Sequence, residues 1–119
     1  MVQIPKLRRR YRRLTVQLEV EYRVGAELWK ARATTLGAVG LFISTRNPFE
    51  PGTRLSLRFM LPSGLVEHDL DGKVVWCHAP GDDPPNQTYG MGIAFDHPAG
   101  DPALVAELEA LGESLPEAP

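Results

Sequence analysis

The stretch 14–24, LTVQLEVEYRV, alternates without interruption. Leu14, Val16, Leu18, Val20, Tyr22 and Val24 fall on one side, and Thr15, Gln17, Glu19, Glu21 and Arg23 on the other. Only a strand gathers a period of two onto one face; a helix would spread the same residues around its axis. A strand that buries one face needs other half-apolar strands to cover it. The chain supplies them. Gly25-Ala26 reads as a turn, and LWKARATT (28–35) sets Trp29, Ala31 and Ala33 against Lys30, Arg32 and Thr34. GLFIST (40–45) is a short β-rich run, and RNPFEPG (46–52) a loop. TRLSLRFML (53–61) alternates again, with Leu55, Leu57, Phe59 and Leu61 inward. PSG (62–64) turns the chain into VEHDLDGKVVW (66–76), whose inward set is Val66, Leu70, Val74 and Trp76. Gly72 shares that face, where a bulge or bend is expected.

APGDDPPNQT (79–88) is a loop and the segment expected to be least ordered. YGMGIAF (89–95) is a last strand, with Tyr89, Met91, Ile93 and Phe95 inward and Gly90, Gly92 and Ala94 open to close approach on the other face. DPALVAELEALG (101–112) is a helix with legible ends: Asp101 can cap, Pro102 suits the first turn, and Gly112 suits a left-handed stop. Leu104, Val105, Leu108 and Leu111 form its apolar stripe. Six short strands followed by one helix predict an all-β fold, a six-stranded antiparallel barrel covered by a C-terminal helix.

Charge divides the chain. RRRYRR (8–13) puts five arginines in six residues, and residues 1–13 hold six basic groups and no acid. Residues 14–119 hold seven basic against fifteen acidic residues, a net of −8. The expected organisation is a basic arm at 1–13, one barrel domain with its helix over 14–112, and a tail at 113–119. An acidic body with one basic arm suits one or two phosphates better than a long polyanion, so DNA and RNA are not expected partners. No apolar run approaches the roughly 20 residues of a membrane span, and no signal-peptide core follows the arm, so a cytoplasmic protein without membrane insertion is expected. Cys77 is the one cysteine, and His68, His78 and His97 are scattered, so no metal site is expected. Glu67, Asp69 and Asp71 alternate on one strand face and read as solvated rather than catalytic. Nothing here points to an enzyme.

Arg9 and Arg13 form an RxxxR pair just before the first strand, duplicated one residue earlier by Arg8 and Arg12. With GLFIST, GTRLSLRFMLP, GKVVW and GMGIAF, this pattern resembles the PilZ domain family across roughly residues 8–96. The resemblance implies a six-stranded barrel with a C-terminal helix. It also implies cyclic di-GMP as ligand, with Arg8, Arg9, Arg12 and Arg13 gripping phosphates and guanine edges and Thr35, Gly37 and Gly40 lining the barrel side. The family's second motif, [D/N]xSxxG, aligns with TLGAVG (35–40), so Thr35 stands at the acid or amide position and Gly37 at the serine. Each hydrogen bond lost to a buried ligand group costs about 1–3 kcal/mol. Two such losses remove roughly two to four decades of affinity. Two readings therefore stay open. One is a cyclic di-GMP receptor acting through a protein partner in motility or surface-structure control. The other is a ligand-independent protein–protein adaptor of the same fold.

Overall fold

The computed structural model describes residues 13–62, 64, 66–82, 88–97 and 100–111. Six strands, β1 (Arg13–Val24), β2 (Glu27–Gly37), β3 (Gly40–Ser44), β4 (Arg54–Met60), β5 (Glu67–His78) and β6 (Gly90–Phe95), precede one helix, α1 (Pro102–Leu111). β1 keeps its alternation: Leu14, Val16, Leu18, Val20 and Tyr22 are buried, while Thr15, Gln17, Glu19 and Arg23 are exposed.

The strands pair antiparallel and close into a barrel in the order β1-β2-β3-β6-β5-β4. β1 turns into β2 through Gly25-Ala26, and Gly25 has φ +60°. A two-residue hairpin loop needs that positive φ at its first position, which glycine adopts without strain. The seam that closes the barrel is short: Glu21↔Arg58, Tyr22↔Leu57 and Arg23↔Ser56. Near it, Phe49 of the β3–β4 loop meets Tyr22 and Trp29 edge-on, at ring distances of 6.3 and 5.6 Å. Burial pushes the Tyr22 phenol above its ordinary value, partly offset by a hydrogen bond with the Thr45 side chain.

Two irregularities reset which side chains face out. In β2 the register shifts between Ala33 and Thr35, so Ala33 and Leu36 both point inward. In β5 it shifts between Val74 and Trp76. Val75 and Trp76 consequently both lie on the surface, each 48% exposed. Period-two counting put Trp76 in the core; the extra residue at the bulge re-aims it. Of the bulge or bend expected at Gly72, no bulge is present: the register runs through it unbroken on both sides. Gly72 is required instead because a Cβ there would come within 2.7 Å of the Ala94 carbonyl oxygen. Val66, expected inward, precedes β5 and is exposed. Tyr89 lies outside β6 and is half-buried against His78 rather than in the core.

α1 covers the barrel with Leu104 and Leu108, both buried, flanked by Val105 and Leu111. Asp101 caps it: a side-chain oxygen accepts the Leu104 N–H at 3.2 Å. Deeper in, His68 of β5 and Glu107 of α1 meet at 2.6 Å, with side chains only 2% and 11% exposed. Gly112, the 113–119 tail and residues 83–87 of the long loop lie outside the described residues.

On the outer wall, Arg54 of β4 binds Asp96 just past β6. That hydrogen bond holds the Asp96 carboxyl below its ordinary 3.8, against a desolvation effect in the other direction. A carboxyl whose folded value is depressed contributes stability above its unfolded value, and loses it as pH falls through the folded one. Asp96→Asn should therefore flatten the acid limb of the stability profile, read by urea unfolding from about pH 5 to 2. An unchanged acid limb would mean the pair contributes nothing. Leu104→Ala should cost about 2–5 kcal/mol in the same assay at neutral pH, because Leu104 is fully buried under the helix.

Candidate functional site

Strand pairing brings distant residues into one row across the barrel's outer wall. Arg13 at the start of β1 stands opposite Gly37, and Gly37 opposite Gly40. Gly40 stands opposite Ala94, Ala94 opposite Lys73, and Lys73 opposite Arg54. Arg13, Lys73 and Arg54 are exposed; Gly40 and Ala94 are half-buried and Gly37 is buried. The middle of the row thus carries no side chain larger than a methyl group. The result is a shallow trough with Arg13 on one bank and Lys73 and Arg54 on the other.

The next outward row runs Thr15, Thr35, Phe42, Gly92 and Trp76. Phe42 and Trp76 stack at 5.3 Å with their planes 22° apart. Both rings lie directly on β6. A Cβ on Gly92 would come within 2.3 Å of the Trp76 indole nitrogen, and one on Gly90 within 2.5 Å of the Phe42 ring. The close approach that the glycines of β6 permit is therefore used by the protein's own aromatics, leaving Gly40 and Ala94 as the open floor. Farther along, His78 stacks on Tyr89 at 5.4 Å, and the Arg46 guanidinium sits 5.2 Å from the same ring. The His78 Nε2 is buried and has no hydrogen-bond partner among the described residues.

The residues singled out from the sequence divide into three groups. Arg13, Gly37 and Gly40 come together as neighbours. Thr35 lies in the adjacent row, half-buried, with no side-chain hydrogen bond among the described residues. Arg8, Arg9 and Arg12 lie outside the described residues. Gly40 also has a structural duty: a Cβ there would come within 2.4 Å of the Ile93 carbonyl oxygen, so β3 and β6 could not pair as closely. Within TLGAVG, Leu36 and Ala38 belong to the core, and the Val39 carbonyl accepts the Phe95 N–H at 2.9 Å.

Lys73 and Trp76 were missed. Lys73 reaches the trough only through the register of β5 on β6, which no local pattern reveals. Trp76 reaches the adjoining outward row through the bulge at Val75. The charges around this bank are distributed unevenly. Arg54 is committed to Asp96, and Asp71 accepts the Ser56 hydroxyl at 2.9 Å. Lys73 has no ion pair among the described residues, and its charge contributes to holding the Asp96 carboxyl low. Cationic banks around a small-residue floor, beside an exposed indole, suit a ligand with anionic groups and a planar ring. Among the described residues no cluster of three His, Cys, Asp or Glu could hold a metal, and no helix is long and apolar enough to cross a membrane.

Comparison with known proteins places this architecture. The family described as PilZ domain matches residues 7–111. No curated protein sequence matches the chain. Among solved structures, the Bacillus subtilis inhibitor of motility (MotI/DgrA) is similar with a TM-score of 0.70 at 20% identity, over 90% of this chain and 51% of that one. The chain thus spans about half the length of that neighbour. The PilZ domain of YcgR from Escherichia coli, solved with cyclic di-GMP, is similar with a TM-score of 0.64 at 18% identity, over 91% of both chains. At these identities the structural neighbours establish the fold, and the family match covers nearly the whole chain: this protein belongs to the PilZ domain family.

Proposed function

We infer that this PilZ domain is a regulatory binding module that takes cyclic di-GMP on the outer wall of its barrel and acts through a partner protein. The observation that carries the reading is the row Arg13, Gly37 and Gly40, three residues far apart in sequence that pair side by side. An arginine at the rim can grip a phosphate with two parallel hydrogen bonds, and the glycines let a bulky ligand approach the strands. The Escherichia coli neighbour, solved with cyclic di-GMP, supports the choice of ligand. The Bacillus subtilis neighbour, an inhibitor of motility, supports control of motility as the setting.

A second reading is a ligand-independent adaptor. Two observations favour it. Thr35 and Gly37 offer fewer hydrogen bonds than the family's acid or amide and serine. Phe42 and Trp76 already occupy the glycine face of β6.

Titration calorimetry with cyclic di-GMP separates the two. The receptor reading expects saturable binding, weakened about tenfold or more by Arg13→Ala, the loss of one charge-assisted contact. No saturation at millimolar ligand would leave the adaptor reading. Thr35→Asp with Gly37→Ser restores the family pattern and should raise affinity by about tenfold or more if the wall is otherwise intact. An unchanged affinity would mean that these two positions no longer face the ligand.

A further inference from the structure

The trough has a second cationic bank that the family pattern does not specify, and this inference rests on the reading just given. We propose that Lys73 of β5 binds the second anionic group of the ligand, facing Arg13 across the floor of Gly37, Gly40 and Ala94.

Four observations carry the assignment. First, Lys73 and Arg13 share one register row on the outer wall. Four strand-to-strand steps separate them, about 19 Å along the curved surface at the usual strand spacing. That span lets two long side chains lean toward a ligand seated between them. Second, the residues between them are Gly37, Gly40 and Ala94, so the row itself puts no side chain larger than a methyl group in the path. Third, Lys73 is the cation of its bank that is not held in an ion pair, although its charge acts on the nearby Asp96 carboxyl. Arg54 is held by Asp96, and Asp71 accepts the Ser56 hydroxyl while keeping its charge. Lys73 has no ion pair among the described residues. Fourth, the β5 bulge leaves the Trp76 indole exposed three residues on from Lys73, in the row next to the floor. An ammonium and an exposed aromatic ring thus come from the same strand, the pair of groups that an anion attached to a planar base would use.

This arrangement identifies the ligand class as a compact dianion with ring substituents, its two negative groups met from opposite banks. It also gives the losses at Thr35 and Gly37 a counterpart. Contacts removed from the β2 side of the trough are offset from the β5 side by a charge that acts at longer range than a hydroxyl.

The test is titration of cyclic di-GMP into the full chain at low and moderate salt. Wild type is compared with Lys73→Met, Lys73→Arg and Lys30→Met. Methionine keeps the apolar stem and removes the charge. Lys30 pairs with Glu21 elsewhere on the barrel, so its variant changes net charge by the same amount away from the trough. Lys73 is exposed, and unfolding curves of all four proteins should coincide closely.

The proposal expects Lys73→Met to weaken binding about tenfold or more, with a shallower salt dependence. Lys73→Arg should largely retain affinity, and Lys30→Met should bind as wild type does. If wild type binds and Arg13→Ala weakens it, but Lys73→Met behaves like Lys30→Met, the second bank is overturned and the receptor reading stands. If wild type does not bind at millimolar ligand, the receptor reading falls and the role of Lys73 falls with it.

Discussion

Closure of the barrel depends on three residue pairs. β1 joins β2 along almost its whole length, but meets β4 only from Glu21 to Arg23. Without that seam the six strands would be an open, curling sheet with two unpaired edges. Tyr22 lies at its centre, fully packed, its hydroxyl tied to Thr45 and its ring met edge-on by Phe49. The loop carrying Phe49 also donates to β5, with Gly52 N–H bonding the Val74 carbonyl at 2.7 Å. One loop thus braces the seam and ends one hydrogen bond away from the bulge that exposes Trp76. The outer trough exists because the wall behind it is closed and its register is set.

The outer wall divides between self-packing and openness along β6. Gly90 and Gly92 lie under Phe42 and Trp76, whose rings satisfy one another by stacking and shield the backbone beneath. Ala94, two positions on, lies beyond those rings. The same strand therefore serves as the bed of an aromatic cluster at one end and as the floor of a cation-banked trough at the other. Gly40 belongs to both arguments: it permits the close β3–β6 pairing and keeps the floor low. A glycine at this position follows from backbone geometry, whatever the ligand.

Much of this was legible in the sequence. The alternation in β1 and β4, the Gly25 turn and the Asp101 cap each express a local rule, and each holds. The failures share a cause. Trp76 followed the period of β5 faithfully until one extra residue at Val75 reversed the phase, and a bulge leaves no compositional mark. Gly72 looked like the irregular position but answers to a neighbouring carbonyl instead. Arg13, Gly37 and Gly40 could be named from their motif. Lys73 could not, because its place in the trough is a product of strand order: β6 lies between β3 and β5, and no stretch of sequence announces that. His68 paired with Glu107 is the same kind of fact, since a buried imidazole in an acidic strand looks like an accident until the helix folds over it.

That buried pair links two parts of the molecule through one strand. β5 presents Lys73 and Trp76 to the outside and, closer to its start, His68 to the inside, where Glu107 ties it to α1. The strand is the common wall of the trough and the seat of the helix. It is hydrogen-bonded to β4 on one side and β6 on the other. The side chain that fastens α1 and the side chain that faces the outer wall are therefore five residues apart on one strand. The wall that carries the row of small residues and the helix that closes the barrel thus share a single backbone support.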